Sequence, residues 1–185
     1  MIDLNKLAKE IHKNAVAKGF WDRDDAEEIM FAWMHAELSE ALNEDRLGRP
    51  MAYVDDFDLC ERITDVERFG GRKPEGVAVE LADFIILLLD WAAQNELEIY
   101  TPGPFDDKEE DIKDIPLHVI VNSHHEDVCR LWNPVMSKSD QEYYVARDVS
   151  GINAWLASKG YDLAEIVRLK MDYNKARPRM HGRKY

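Results

Sequence analysis

The stretch from Gly76 to Asp90, GVAVELADFIILLLD, constrains the fold more than any other part of the chain. It is too long and too apolar for a strand, and its spacing predicts a buried helix. Yet it carries Glu80, Asp83 and Asp90. Positions three or four apart share a helix face. Glu80, Asp83, Leu87, Asp90 and Trp91 therefore fall on one side, and Leu81, Ala82, Ile85 and Leu89 on the other. No side is polar enough to solvate the acids. Buried carboxylates without partners are strongly unfavourable, and a divalent cation is the simplest compensation.

A second acidic pair lies upstream in FAWMHAELSEAL, residues 31–42. Glu37 and Glu40 are again three apart, and they share a face with Met30, Trp33, Met34 and Ala41, which should point into the core. Two such helices facing each other would gather four carboxylates. All-oxygen ligation of this kind suits Mg²⁺, with Mn²⁺ as the alternative, and not Zn²⁺ or copper.

With 185 residues, the chain has the length of one domain with a substantial core. A formal net charge of −13 argues against a general nucleic-acid binder. Cys60 and Cys129 are far apart in sequence and form no CxxC motif, which points to a reducing compartment. Met1–Asn5 does not read as a signal peptide, and no apolar run approaches the roughly 18–20 residues of a membrane span. The expectation is a cytoplasmic protein without membrane contact.

Apolar periodicity predicts helices over about 3–18, 24–47, 76–98, 115–132 and 140–158, and a last one opened by Asp162. Asp3, Asp24 and Asp25 offer N-caps, and Gly19 and Gly160 offer stops. Phe20 and Trp21 form an aromatic connector that would plug one end of a bundle, with Trp21 alternatively lining a base pocket. Residues 53–58 and 61–63 are expected to be short helix, and 70–74 loop. The charged run 106–111 reads as solvated surface. His124 and His125 also read as surface, and His35 as structural. No strand ladder is evident. The fold class is all-α, a helical bundle in a single domain. After Arg168 the chain turns basic, with Lys170, Lys175, Arg177, Arg179, Arg183 and Lys184 against Asp172 alone. That tail is either surface or a phosphate-binding arm over the acidic site.

Several chemistries are absent from the sequence. There is no P-loop, no GxSxG, no HExxH and no Glu-x-x-His of the di-iron carboxylate proteins. A lone ExxE is usually a solvated helix face. Here two acidic pairs of the same spacing both sit on stripes that otherwise read as buried, which raises them above that explanation.

The two motifs, Glu37–Leu38–Ser39–Glu40 and Glu80–Leu81–Ala82–Asp83, resemble the ExxE and ExxD signature of the MazG-like all-α NTP pyrophosphatases. Gly19–Asp22, His35–Leu42, Lys73–Asp83 and the basic segment Lys170–Lys184 are similar to the corresponding parts of that family. Residues 50–70 and 100–160 carry little of the likeness. The spacer 41–79 is longer than the family pattern, and Phe84–Ile86 lacks an Arg expected there. The resemblance implies hydrolysis of a nucleoside triphosphate to the monophosphate and pyrophosphate. Glu37, Glu40, Glu80 and Asp83 would hold Mg²⁺, and Glu40 would orient the attacking water. Asp90 would be an extra ligand or a partner that orients one. Lys170, Lys175 and Arg177 would grip phosphates, and Asn174 and Trp21 would contact sugar or base. A homodimer or higher homo-oligomer is expected, because a helical hairpin with its acids on one side leaves apolar surface open. The competing readings are a non-catalytic nucleotide-sensing or protein-interaction module, and a di-metal redox protein, against which the missing Glu-x-x-His counts.

Overall fold

A computed structural model describes residues 3–54, 57–58, 72–100 and 112–182. Among these, six helices form the architecture: α1 Leu4–Ala17, α2 Ala26–Arg46, α3 Val77–Gln94, α4 Leu117–Leu131, α5 Lys138–Ser158 and α6 Leu163–Ala176. A short 3₁₀ turn, Arg179–Gly182, follows. The protein is mostly helical, as the periodicity predicts. None of these helices is long and apolar enough to cross a membrane.

The stretch that dominates the sequence is the centre of the fold. Helix α3 packs against α1, α2, α5 and α6, while α4 lies on α2 and α5. Leu81, Phe84, Ile85, Leu88, Leu89 and Trp91 of α3 are all buried. They contact Met30, Met34 and Leu38 from α2, Ile152 and Leu156 from α5, and Ile166 from α6 in one continuous core. A helix covered on all sides needs apolar residues all round, which is why α3 shows no polar stripe in sequence.

The caps explain where several helices begin. Asp3 accepts a bond from the Lys6 amide, Ser137 from Asp140, and Asp162 from Ala164 and Glu165. Asp25 occupies the cap position of α2 without capping it. Its carboxylate instead pairs with Arg23 at 2.7 Å. Helix α3 stops at Gln94, four residues before the expected end at 98, with Asn95 as its cap and Glu96 at a φ of +53°.

Residues 53–54 and 57–58 are not helical. Three two-residue strands, β1 Tyr53–Val54, β2 Phe57–Asp58 and β3 Pro74–Glu75, form a small antiparallel sheet in the order β2-β1-β3. Tyr53 pairs with Glu75 and Val54 with Pro74. Strands this short cannot show the alternation that marks a strand in sequence. The sheet delivers the chain to α3 through Gly76, whose φ is +111°. A side chain there would place its Cβ 2.7 Å from the carbonyl oxygens of Pro50 and Met51. The Ala78 amide donates to the Met51 carbonyl at 2.8 Å, fixing the start of α3.

His124 departs from the surface expectation. It is buried, with Nδ1 2.7 Å from Asp148 Oδ1. The expected short helix over 61–63, the loop glycines Gly70 and Gly71, the charged run 106–111, and Arg183 and Lys184 lie outside the described residues.

Candidate metal centre

Helices α2 and α3 face each other over much of their length, and the i, i+3 acids of both turn towards one pocket. Glu37, Glu40 and Glu80 each offer a carboxylate oxygen within 4.8 Å of the other two. Glu80 is buried, Glu37 half-buried and Glu40 exposed at the rim. Glu80 lies in the first turn of α3, where the helix dipole favours negative charge.

Asp83 completes the set but is already paired. Lys170 reaches in from α6, its Nζ 2.6 Å from Asp83 Oδ2 and 3.5 Å from the Pro74 carbonyl. Lys170 is only 3% exposed. The ammonium is an internal cation for the acidic cluster.

One ammonium does not neutralise the cluster. Burial, and then the charges of Asp83, Glu80 and Glu40, push the Glu37 carboxyl up to about 9 against the pull of Lys170. Burial pushes Glu80 up to about 7, opposed by Lys170 and Lys73 and reinforced by Asp83 and Glu40. Such groups shed their protons readily only when further positive charge arrives. An all-carboxylate donor set, crowded and short of positive charge, fits a hard divalent cation.

The surrounding cavity, about 110 Å³, is lined by apolar Ile11, Ala15, Met30, Trp33, Ile86 and Leu87 and by the acids, Lys73, Lys170, Asn174, Arg177 and His181. Asn174 Oδ1 is buried there without a hydrogen-bond partner, leaving an acceptor for a ligand. Arg177 stacks 5.5 Å over the Tyr173 ring and donates to the His181 carbonyl at 3.2 Å. Phe20 meets Trp33 and His181 edge-on, with ring centroids 5.5 and 4.9 Å apart. Aromatic rings therefore form part of the lining of the charged cavity.

The remaining sequence candidates sit apart from the carboxylates. Asp90 also lines the cavity, but its oxygens are engaged elsewhere. Asp90 Oδ1 lies 2.7 Å from His12 Nδ1, and the Trp21 indole N–H donates to Asp90 at 3.0 Å. Burial raises Asp90 to about 6, while the bonds from His12 and Trp21 pull it down. The same bond turns the Trp21 indole towards Asp90, so Phe20 and Trp33 are the aromatics that line the cavity. Lys175 lies on the outside of α6, paired with Asp172 at 3.1 Å and Glu10 at 3.4 Å. Sequence reasoning passed over Lys73. It lines the cavity, pairs with Glu75 at 3.0 Å, and is raised by Glu75, Glu80 and Glu40 against its own burial. Its position four residues before the buried helix was the available signal.

No protein-family model matches the chain, and neither a curated protein nor a solved structure matches it.

Proposed function

We propose that this protein is a Mg²⁺-dependent hydrolase that converts a nucleoside triphosphate to its monophosphate and pyrophosphate. The observation that carries this reading is the convergence of Glu37, Glu40 and Glu80 within 4.8 Å in a pocket that also holds Lys73, Lys170 and Arg177. Carboxylates for a cation and cations for phosphate, side by side, are what a phosphate ester or anhydride requires. The MazG-like signature in the sequence points the same way.

Glu37, Glu40 and Glu80 would hold the ion, with Asp83 joining them or remaining on Lys170. The bound Mg²⁺ would polarise phosphate oxygens and lower the pKa of a water in the site. Glu40, at the exposed rim, is placed to accept a proton from that water at a carboxylate oxygen. The water oxygen bonds to the α-phosphorus as the bond to the bridging oxygen breaks. Pyrophosphate leaves with the electron pair, and the monophosphate keeps the new hydroxyl. Lys73 and Arg177 are placed to bind phosphate oxygens. Phe20 and Trp33 offer stacking surface to a base, and the unpartnered Asn174 Oδ1 offers an acceptor to base or sugar.

The test is pyrophosphate release from a panel of standard and modified ribo- and deoxyribonucleoside triphosphates, in Mg²⁺ and in EDTA, for wild type and Glu80→Gln. Release that requires Mg²⁺ and is lost in the folded variant supports the reading. Nucleotide binding without release from any member overturns it in favour of a sensing module. Light scattering would test the homo-oligomer that belongs to the same reading, for which exposed Trp132, Val135 and Tyr143 offer apolar surface.

A further inference from the structure

A second group of ligand-type side chains lies away from the acidic pocket, between α4 and α5. His124 and Asp127 are three apart on α4, and Asp148 faces them from α5. One ligand atom from each lies within 4.8 Å of the other two. His124 is 6% exposed, and both aspartates are fully buried. His124 Nδ1 sits 2.7 Å from Asp148 Oδ1, and Arg147 Nε donates to Asp127 Oδ2 at 3.0 Å.

These bonds use half of the carboxylate oxygens. Asp127 Oδ1 and Asp148 Oδ2 are buried with no hydrogen-bond partner. Unpartnered buried oxygens of ionised groups are rare because nothing replaces the water they have lost. The group therefore presents two unpartnered buried carboxylate oxygens beside an imidazole, the donor set a cation would need.

We propose that His124, Asp127 and Asp148 form a second, buried site for a divalent transition-metal ion of the Zn²⁺ or Mn²⁺ class. The imidazole nitrogen sets it apart from the all-oxygen pocket, since mixed nitrogen and carboxylate ligation favours transition metals over Mg²⁺. Its closure to solvent marks it as structural, because a catalytic metal needs an open position. The ion would tie α4 to α5. The Phe84 ring packs 5.8 Å from the His124 ring, and Phe84 follows Asp83 directly. The second site therefore braces the back of the helix whose front carries Glu80 and Asp83. The inference stands whether or not the acidic pocket hydrolyses nucleotides.

The experiment uses the full chain, stripped with EDTA and titrated with Zn²⁺ and, separately, Mn²⁺. Bound metal is counted after gel filtration, and melting temperature is recorded with and without metal. Wild type, Glu80→Gln, Asp148→Asn and His124→Gln are compared, with folding checked by circular dichroism. Wild type should bind one equivalent more than Asp148→Asn or His124→Gln and gain more in melting temperature from the metal than they do, and Glu80→Gln should keep the equivalent that those two lose. The half-buried His35–His125 pair, with Nδ1 atoms 2.8 Å apart, is common to all four proteins and cancels in the difference. Should Asp148→Asn fail to fold, His124→Gln decides, since it keeps both carboxylates. An unchanged metal count in the folded variants overturns the proposal. So does loss of all tight binding in Glu80→Gln. Failure of wild type to bind the extra equivalent, with Asp148→Asn melting at or above wild type, would show that the aspartates share a proton instead.

Discussion

Lys170→Met is the sharpest perturbation of the acidic pocket. The lysine is 3% exposed and its Nζ lies 2.6 Å from Asp83, so the substitution removes a buried cation and leaves the carboxylates facing one another. Breaking a buried ion pair from one side costs about 3–5 kcal/mol. For a chain of this length each kcal/mol moves the melting temperature by about 2–4 °C, so the expected fall in EDTA is roughly 6–20 °C. The loss should depend on pH. Glu37 and Glu80 are held above their ordinary value, and Lys170 pulls both down. Without it, both rise further, and a raised carboxyl destabilises the fold as pH climbs from its unfolded to its folded value. The deficit should therefore be largest near about pH 8 and smallest near about pH 5. Mg²⁺ at a hundred times its dissociation constant returns about 2.7 kcal/mol. Thermal melts of wild type and variant at both pH values, in EDTA and in Mg²⁺, check all three points. A deficit in EDTA below about 1 kcal/mol at the higher pH, the range of an exposed pair, would refute the view of Lys170 as an internal cation.

Three further outcomes follow from the same geometry. Glu80→Gln should abolish Mg²⁺-dependent pyrophosphate release while leaving the protein folded, as activity and circular dichroism would show. In EDTA, wild-type stability should fall as pH rises from about 4.5 through 7 towards 9, because Glu37 and Glu80 are raised to about 9 and about 7 in the folded state. Urea titrations across that range should show the slope, and saturating Mg²⁺ should flatten it. Gly76→Ala should destabilise by more than about 1 kcal/mol, since it combines a positive φ with a Cβ 2.7 Å from two carbonyl oxygens. A urea midpoint unchanged from wild type would contradict this.

What the sequence made legible is what helical periodicity carries. The buried α3, the acidic pairs on facing helices and the Asp162 cap all follow from i, i+3 and i, i+4 spacing. The three-way approach of Glu37, Glu40 and Glu80 follows from the same spacing. The small sheet was not legible, because a two-residue strand has no period to read. Lys170 was legible as a cation but not as a buried one. Its partner Asp83 lies on a different helix, and only the packing of α6 on α3 joins them. Asp90 shows the converse. Its burial invited a metal, yet His12 from α1 and Trp21 from the connector already satisfy it. His124 appeared as one of two adjacent histidines in a polar helix, and nothing local announced that Asp148 on another helix would bury it.

The protonation of the acidic cluster supplies a test of the metal centre that needs no substrate. Before a cation binds, Glu37 with a value of about 9 is protonated near neutral pH, and Glu80 at about 7 is divided between its two forms. A carboxyl must lose its proton to act as a ligand, so binding should expel protons. At pH 7 the count should be on the order of one proton per ion, with Glu37 as the main source. Calorimetric titration of Mg²⁺ in buffers of different ionisation enthalpy measures that number directly. Raising the pH should reduce it, because Glu80 is then already ionised, and Glu37→Gln should remove most of it. Mg²⁺ binding with no proton release at pH 7 would mean that the carboxylates are ionised beforehand. The crowding of Glu37, Glu80 and Asp83 about Lys170 would then not control how this pocket accepts its ion.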